Sequence, residues 1–126
     1  MKLFSKTAII ALACASIPAF AAEPIVGVWQ TFEDGKPKAQ VQISDAGGAL
    51  SGVVIDGNTD KAKTYVGRTV ISGLKADGGG KYSGGTITDP VNGKSYKLTA
   101  TLSGNNLALK GHLGPFSRTQ NWKRIK

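Results

Sequence analysis

Few side chains in this 126-residue sequence could do chemistry, and their spacing argues against most reactions. His112 is the only histidine. In Leu107-Ala108-Leu109-Lys110-Gly111-His112-Leu113, strand alternation puts it on the face of Lys110, opposite Leu109 and Leu113. It therefore reads as a solvent-facing or rim histidine. A zinc site built on it would need carboxylates for its other ligands, and no His-rich spacing exists. No nucleophile elbow offers a serine for it to activate. Asp56 and Asp60 flank Gly57-Asn58, while Asp77 and Asp89 sit at turns, where short acids usually accept from nearby backbone amides. Asp56-Gly57-Asn58-Thr59-Asp60 is rich in oxygen but lacks the spacing and terminal glutamate of an EF-hand loop. Asn92-Gly93-Lys94-Ser95 ends like a phosphate loop, yet Thr88 stands where that pattern needs its first glycine. The sequence thus points to a protein that is not an enzyme and that uses no metal or cofactor.

The elements that must position these residues begin after an export signal. Lys2 and Lys6 precede a short apolar stretch from Thr7 through Ile17, and Ala19-Phe20-Ala21 supplies small residues for signal-peptidase cleavage. Residues 1–21 are expected to be a cleaved signal peptide, with cleavage after Ala22 the alternative, and residues 22–126 a single domain. The apolar stretch is too short and interrupted to span a bilayer. Cys14 lies in a poor lipid-attachment context upstream of that cleavage site, so lipid anchoring is not expected. The expected location is periplasmic or secreted. Cys14 is the only cysteine, so the mature chain would fold without disulfides.

Removing Lys2 and Lys6 from sixteen basic residues leaves fourteen against eight acids, a balance of +6. Such a surface attracts anionic lipid or polymer. The lysines are spread along the chain, with Lys123-Arg124-Ile125-Lys126 the only tight cluster, and an exported protein seldom meets nucleic acid. A basic solvated surface is the reading adopted.

Short apolar runs separated by glycine-rich turns mark an antiparallel all-β domain. Ile25 to Thr31, Ala39 to Ser44 and Leu50 to Ile55 read as strands, with turns at Asp34–Pro37 and Asp45–Gly48. Asp56 to Tyr65 reads as a loop crossing one barrel end or a single helical turn. Arg68 to Lys75 is a strand or an irregular turn, and Asp77–Gly80 is a turn. Lys81 to Thr88 and Ser95 to Ser103 form a hairpin, on whose return Tyr96, Leu98, Ala100 and Leu102 share one face. Leu107 to Leu113 and Arg118 to Ile125 complete about eight strands. Closure into a small antiparallel up-and-down barrel removes the exposed edges. Glycines within strands, at 52, 73, 84, 85 and 111, suit bends or bulges in such a barrel.

The densest run of unusual residues, Ser83-Gly-Gly-Thr-Ile-Thr-Asp-Pro-Val-Asn-Gly-Lys-Ser-Tyr96, divides into ordinary tasks. Gly84 and Gly85 allow a bend or close approach. Asp89 accepts from amides at the reversal, Pro90 sets its first corner, and Gly93 adopts positive φ. Tyr82 and Tyr96 are the candidate walls of a ligand pocket.

Gly27-Val28-Trp29, Ser83 to Pro90, Asn92 to Tyr96, Gly111-His112-Leu113-Gly114 and Arg118 to Arg124 occur in that order. In this combination the chain resembles the bacterial exported family called domain of unknown function 2147. The resemblance implies a lipocalin-like, calycin-type barrel and brings no established activity. Gly27-Val28-Trp29 is similar to the Gly-x-Trp motif that opens a lipocalin. There the tryptophan closes one barrel end beneath an arginine of the last strand, for which Arg124 is the match, and Trp122 supports that strand. The chain departs from the family in its short Asp56–Gly67 segment, in Tyr82 where many members carry tryptophan, and in its compact Gly114–Ser117 link.

Two functions are expected from this reading. The first is binding of a small apolar or amphipathic ligand in the periplasm. The alternative is a non-enzymatic structural or protein-interaction module of the envelope, acting through its basic surface. A drug-sized ligand needs an interior of at least about 300 Å³, and small barrels are commonly filled by their own side chains.

Overall fold

The computed structural model describes residues 23–126, and most of them lie in β-strands. The expected signal peptide, its cleavage site and Cys14 lie outside the described residues. Eight strands close into one antiparallel barrel in which each pairs with its neighbours in sequence. They are β1 (Gly27–Glu33), β2 (Lys36–Ala46), β3 (Ala49–Gly57), β4 (Thr69–Gly78), β5 (Lys81–Thr88), β6 (Ser95–Ser103), β7 (Asn106–Leu113) and β8 (Phe116–Arg124). A single helical turn, α1 (Asp60–Lys63), lies between β3 and β4.

The inward residues are those that alternation selects. In β2, Ala39, Val41 and Ile43 are buried, and in β6, Leu98 and Ala100 are. Their sheet neighbours Gln42, Lys97 and Thr101 face outward. One continuous apolar core results, running from Ile25 and Trp29 through Leu50, Ile71 and Leu74 to Leu107, Leu109 and Trp122.

Bulges close so small a barrel. The β3–β4 register shifts around Gly52, and the β5–β6 register shifts between Tyr82 and Gly85. Gly73 and Gly84, at φ of 67° and 76°, occupy these irregular stretches in backbone that other residues rarely adopt. At Gly85 the strand comes so close to β4 that an added Cβ would lie 2.9 Å from Leu74 Cα.

The uncertain segments resolve simply. Arg68 to Lys75 is largely strand, because Gly73 is accommodated as an irregularity within β4 and does not end it. Asp77 and Gly78 still belong to β4, so only Gly79-Gly80 form the turn. In the Asp56–Tyr65 segment, Thr59 Oγ1 accepts the Ala62 amide at 3.0 Å and so caps α1. Ala62 is buried, and Gly57 leaves room for it, since a Cβ there would lie 2.5 Å from the Ala62 carbonyl carbon.

Up-and-down order sorts the connections between the two barrel ends. The Gly47-Gly48, Gly79-Gly80 and Gly104-Asn105 turns share one end with residues 23–26 and the C-terminus. The β1–β2 turn, the α1 segment, the Asp89–Lys94 connection and the Gly114-Pro115 turn share the other.

Candidate functional site

The first of these ends is sealed. Trp29 is fully buried, and its indole Nε1 donates to the Ile25 carbonyl at 2.9 Å. The Arg124 guanidinium lies 4.5 Å from the Trp29 ring centroid. It donates from Nη1 to the Val26 carbonyl at 3.1 Å and from Nη2 to the Pro24 carbonyl. Gly27 makes this approach feasible, since a Cβ there would come within 2.6 Å of Arg124 Nη1. A cation on an aromatic face contributes about 0.5–2 kcal/mol, depending on how far it is desolvated.

Tyr82 belongs to this seal and is not a pocket wall. Its ring is buried in the core, and its hydroxyl donates to Glu23 Oε1 at 3.2 Å. Burial pushes the phenol pKa up, and the Glu23 carboxylate pushes it further. The sequence-based expectation fails here because alternation gives the face of a residue but not its height in the barrel. Tyr82 stands at the start of β5, beside the closed end.

The opposite end is open. A cavity of about 780 Å³ opens there to solvent. Its floor and walls are Val41, Val54, Val70, Leu109 and Trp122, themselves almost wholly buried in the core, with the half-buried Ile87, and its rim is exposed. Tyr96 lines it, as do Asp89 and Pro90. Small side chains make the space: Ala39 and Gly111 occupy wall positions where larger residues would fill it. The Gly111 hydrogen faces Ile87 Cγ2 and Tyr96 Cβ, each 3.5 Å from an ideal Cβ.

Around the mouth the connections brace one another. Arg68 lies 5.6 Å from the Tyr65 ring centroid and donates to the Pro90 carbonyl at 3.2 Å, joining the α1 segment to the β5–β6 connection. Asp89 Oδ1 accepts from the Val91 amide at 2.8 Å, and the Gly93 amide donates to the Asp89 carbonyl at 2.8 Å. Gly93 sits at φ 76°. In this structure Asp89, Pro90 and Gly93 build the turn and also bring it to the cavity mouth.

The barrel wall is incomplete beside this mouth. β1 and β8 pair only at Trp29–Arg124 and Gln30–Lys123, next to the closed end. β7, in contrast, pairs with β8 continuously from Asn106–Lys123 to Leu113–Phe116. From Phe116 to Asn121, β8 has no β1 partner and every residue is exposed. Both separated strands line the cavity, through Thr31 and Glu33 on β1 and Arg118 and Gln120 on β8. The sequence carries no local mark of this seam, because it arises where two strands distant in sequence diverge.

His112 faces outward, with its Nε2 3.0 Å from the Thr99 hydroxyl. Among the described residues, no three of the His, Cys, Asp and Glu side chains gather as metal ligands would.

The family model described as an uncharacterized protein conserved in bacteria, DUF2147, matches residues 27–124. No curated protein matches the sequence. Among solved structures, protein HP1028 from Helicobacter pylori, described as belonging to the lipocalin family, is similar with a TM-score of 0.66. The two are 21% identical, and the match covers 84% of this chain and 85% of that one. At this identity the likeness establishes a shared fold.

Proposed function

The chain belongs to the bacterial DUF2147 family and folds as a lipocalin-like barrel, and from that premise we propose that it is a non-catalytic carrier of a small apolar or amphipathic ligand in the periplasm. The observation that carries this reading is the cavity. Its volume of about 780 Å³ exceeds the roughly 300 Å³ at which drug-sized ligands are accommodated. Its aliphatic wall would shelter an apolar chain from water at about 25 cal/mol per Å² buried. The periplasmic assignment rests on the export signal expected over residues 1–21.

Bound lipids and metabolites recovered with the protein from its host, and identified by mass spectrometry, test this proposal. Gly111→Phe is the matched control, because its ring would enter the cavity between Ile87 and Tyr96. An enriched apolar molecule that disappears in Gly111→Phe is the expected result. Equal recovery from both proteins would locate binding elsewhere.

A second reading has its own observation. β5 to β8 contain no Asp or Glu, whereas their exposed positions include Lys81, Lys97, Lys110 and Lys123. A shallow recess of about 310 Å³ on this side is lined by Thr99, Thr101, Lys110 and Thr119. This acid-free wall suits an anionic envelope component. Crosslinking to such a partner, lost in Lys97→Glu/Lys110→Glu, would favour an interaction role.

A further inference from the structure

We propose that Arg118 is the anchor for an anionic head group, so that the ligand class of this barrel is an amphipathic anion. The proposal rests on the carrier reading and specifies what is carried.

Arg118 lies on β8 in register with Gly111 of β7, a lining position that carries no side chain. Alternation puts it on the same strand face as Gln120 and Trp122, and both of those line the cavity. Trp122 is buried, and its Nε1 donates to Gln120 Oε1 at 3.3 Å, which keeps Gln120 engaged within its own strand. Arg118 stands one step further toward the mouth, in the stretch that lacks a β1 partner. Its guanidinium therefore has access both to the cavity and to water.

The other charges at the mouth differ from it. Lys38 Nζ is paired with Glu33 Oε1 at 3.0 Å. Asp89 accepts from its own turn at Val91, and Asp34 sits exposed in the β1–β2 turn. Arg68 is outside the cavity lining and is engaged by Pro90 and Tyr65. Among the described residues, Arg118 is the one cation lining the cavity with neither a salt bridge nor a side-chain hydrogen bond. A planar guanidinium is suited to holding a carboxylate or phosphate with two parallel hydrogen bonds. Behind it, Leu109, Ile87, Val54 and Val41 offer a wall that can receive only the apolar part of such a molecule.

The test compares undecanoate carrying a dansyl group at its tail with the methyl ester of the same molecule, by fluorescence titration of the purified protein. The carboxylate should bind about tenfold more tightly than the ester, the scale of a hydrogen bond to a charged group at a partly exposed site. Arg118→Gln should bring the carboxylate down to the ester's affinity and leave the ester within about twofold of its original value. Arg118→Lys should retain part of the preference, because it keeps the charge and loses the planar fork. Competition by dodecanoate and by dodecyl phosphate then distinguishes a carboxylate from a phosphate head.

Equal binding of carboxylate and ester by the unmodified protein would overturn the Arg118 assignment while leaving the carrier reading in place. A preference that survives in Arg118→Gln would do the same. If neither probe binds, both the carrier reading and the ligand class fall.

Discussion

The two ends of this barrel are built from the same eight strands, yet one is sealed and the other opens to solvent. At the closed end the inward positions carry Trp29, Ile43, Leu50, Leu74 and Leu107, all essentially without exposure. Toward the mouth they carry Thr31, Ala39 and Gly111, and Leu113 and Phe116 at the rim are 62% and 74% exposed. The bulges around Gly52 and Gly84 draw the lower walls together until Leu74 rests on Gly85. No comparable closure exists above Gln30, where β1 and β8 separate. The difference shows that a small barrel can combine a packed base with a receptive mouth. It does so by changing side-chain volume and strand pairing along its length, with no change of topology.

The sharpest way to break this comparison is to remove one large aromatic from each end. Trp29→Ala should cost about 3–5 kcal/mol, because the core loses a fully buried indole and Arg124 loses its platform. Phe116→Ala at the rim should change stability by no more than about 0.5 kcal/mol. Urea denaturation of the two variants reads the contrast directly. Similar losses for both would mean that the mouth is packed as tightly as the base.

Glycine substitutions probe the same contrast with a single methyl group. Gly85→Ala should cost about 1–3 kcal/mol, since its Cβ meets the Leu74 backbone at 2.9 Å and neither strand can yield without moving its ladder. Gly111→Ala places its Cβ at ordinary contact distance, 3.5 Å from Ile87 and Tyr96. It should stay within about 0.5 kcal/mol of the parent. Thermal melts of both proteins check this pair, and an equal penalty at Gly111 would argue that the cavity wall is rigidly packed.

A smaller effect is expected at the mouth turn. Asp89→Ala removes the acceptor for the Val91 amide, an exposed interaction that should cost about 1 kcal/mol or less. Affinity for the dansyl undecanoate probe should hold within about twofold, because the Asp89 carboxylate is directed to its own turn. A protein that folds normally but no longer binds the probe would show that Asp89 meets the ligand.

How legible all this was in the sequence depended on whether a feature is local. Alternation in Ser95–Ser103 identified the inward face of β6, and Asp89-Pro90 with Asn92-Gly93 marked the reversal, because each is decided within a few residues. The number of strands and their closure followed from the repetition of such signals. The glycines inside strands signalled bends, and the bulges lie beside them. What the sequence could not carry is height and distance across the barrel. Tyr82 and Tyr96 look equivalent on alternating strands, yet Tyr82 reaches Glu23 at the closed end while Tyr96 lines the cavity. In the sequence, Arg118 stands out only as part of a C-terminal motif. Its place in the cavity lining depends on where β8 parts from β1, which is set by strand divergence over a separation of some ninety residues.

The two ends also differ in the direction of their pH dependence. Tyr82 has its pKa raised above 10.0, first by burial and then by its hydrogen bond to Glu23. The folded state therefore holds this proton more tightly than the unfolded chain does. Its contribution is fully present below the unfolded value and is lost as pH rises above 10 through the folded pKa. Asp56, beside the open end, has its pKa lowered below 3.8, first by the Gly57 amide and then by Lys63. Its contribution is present above the unfolded value and is lost as pH falls through the folded pKa. Tyr82→Phe should cost about 1 kcal/mol at neutral pH through the lost hydrogen bond and should flatten the alkaline limb of a stability-against-pH curve. Asp56→Asn should flatten only the acid limb. If Tyr82→Phe left the alkaline slope unchanged, the folded barrel would hold the Tyr82 proton no more tightly than the unfolded chain does, and the raised pKa at the closed end would be wrong.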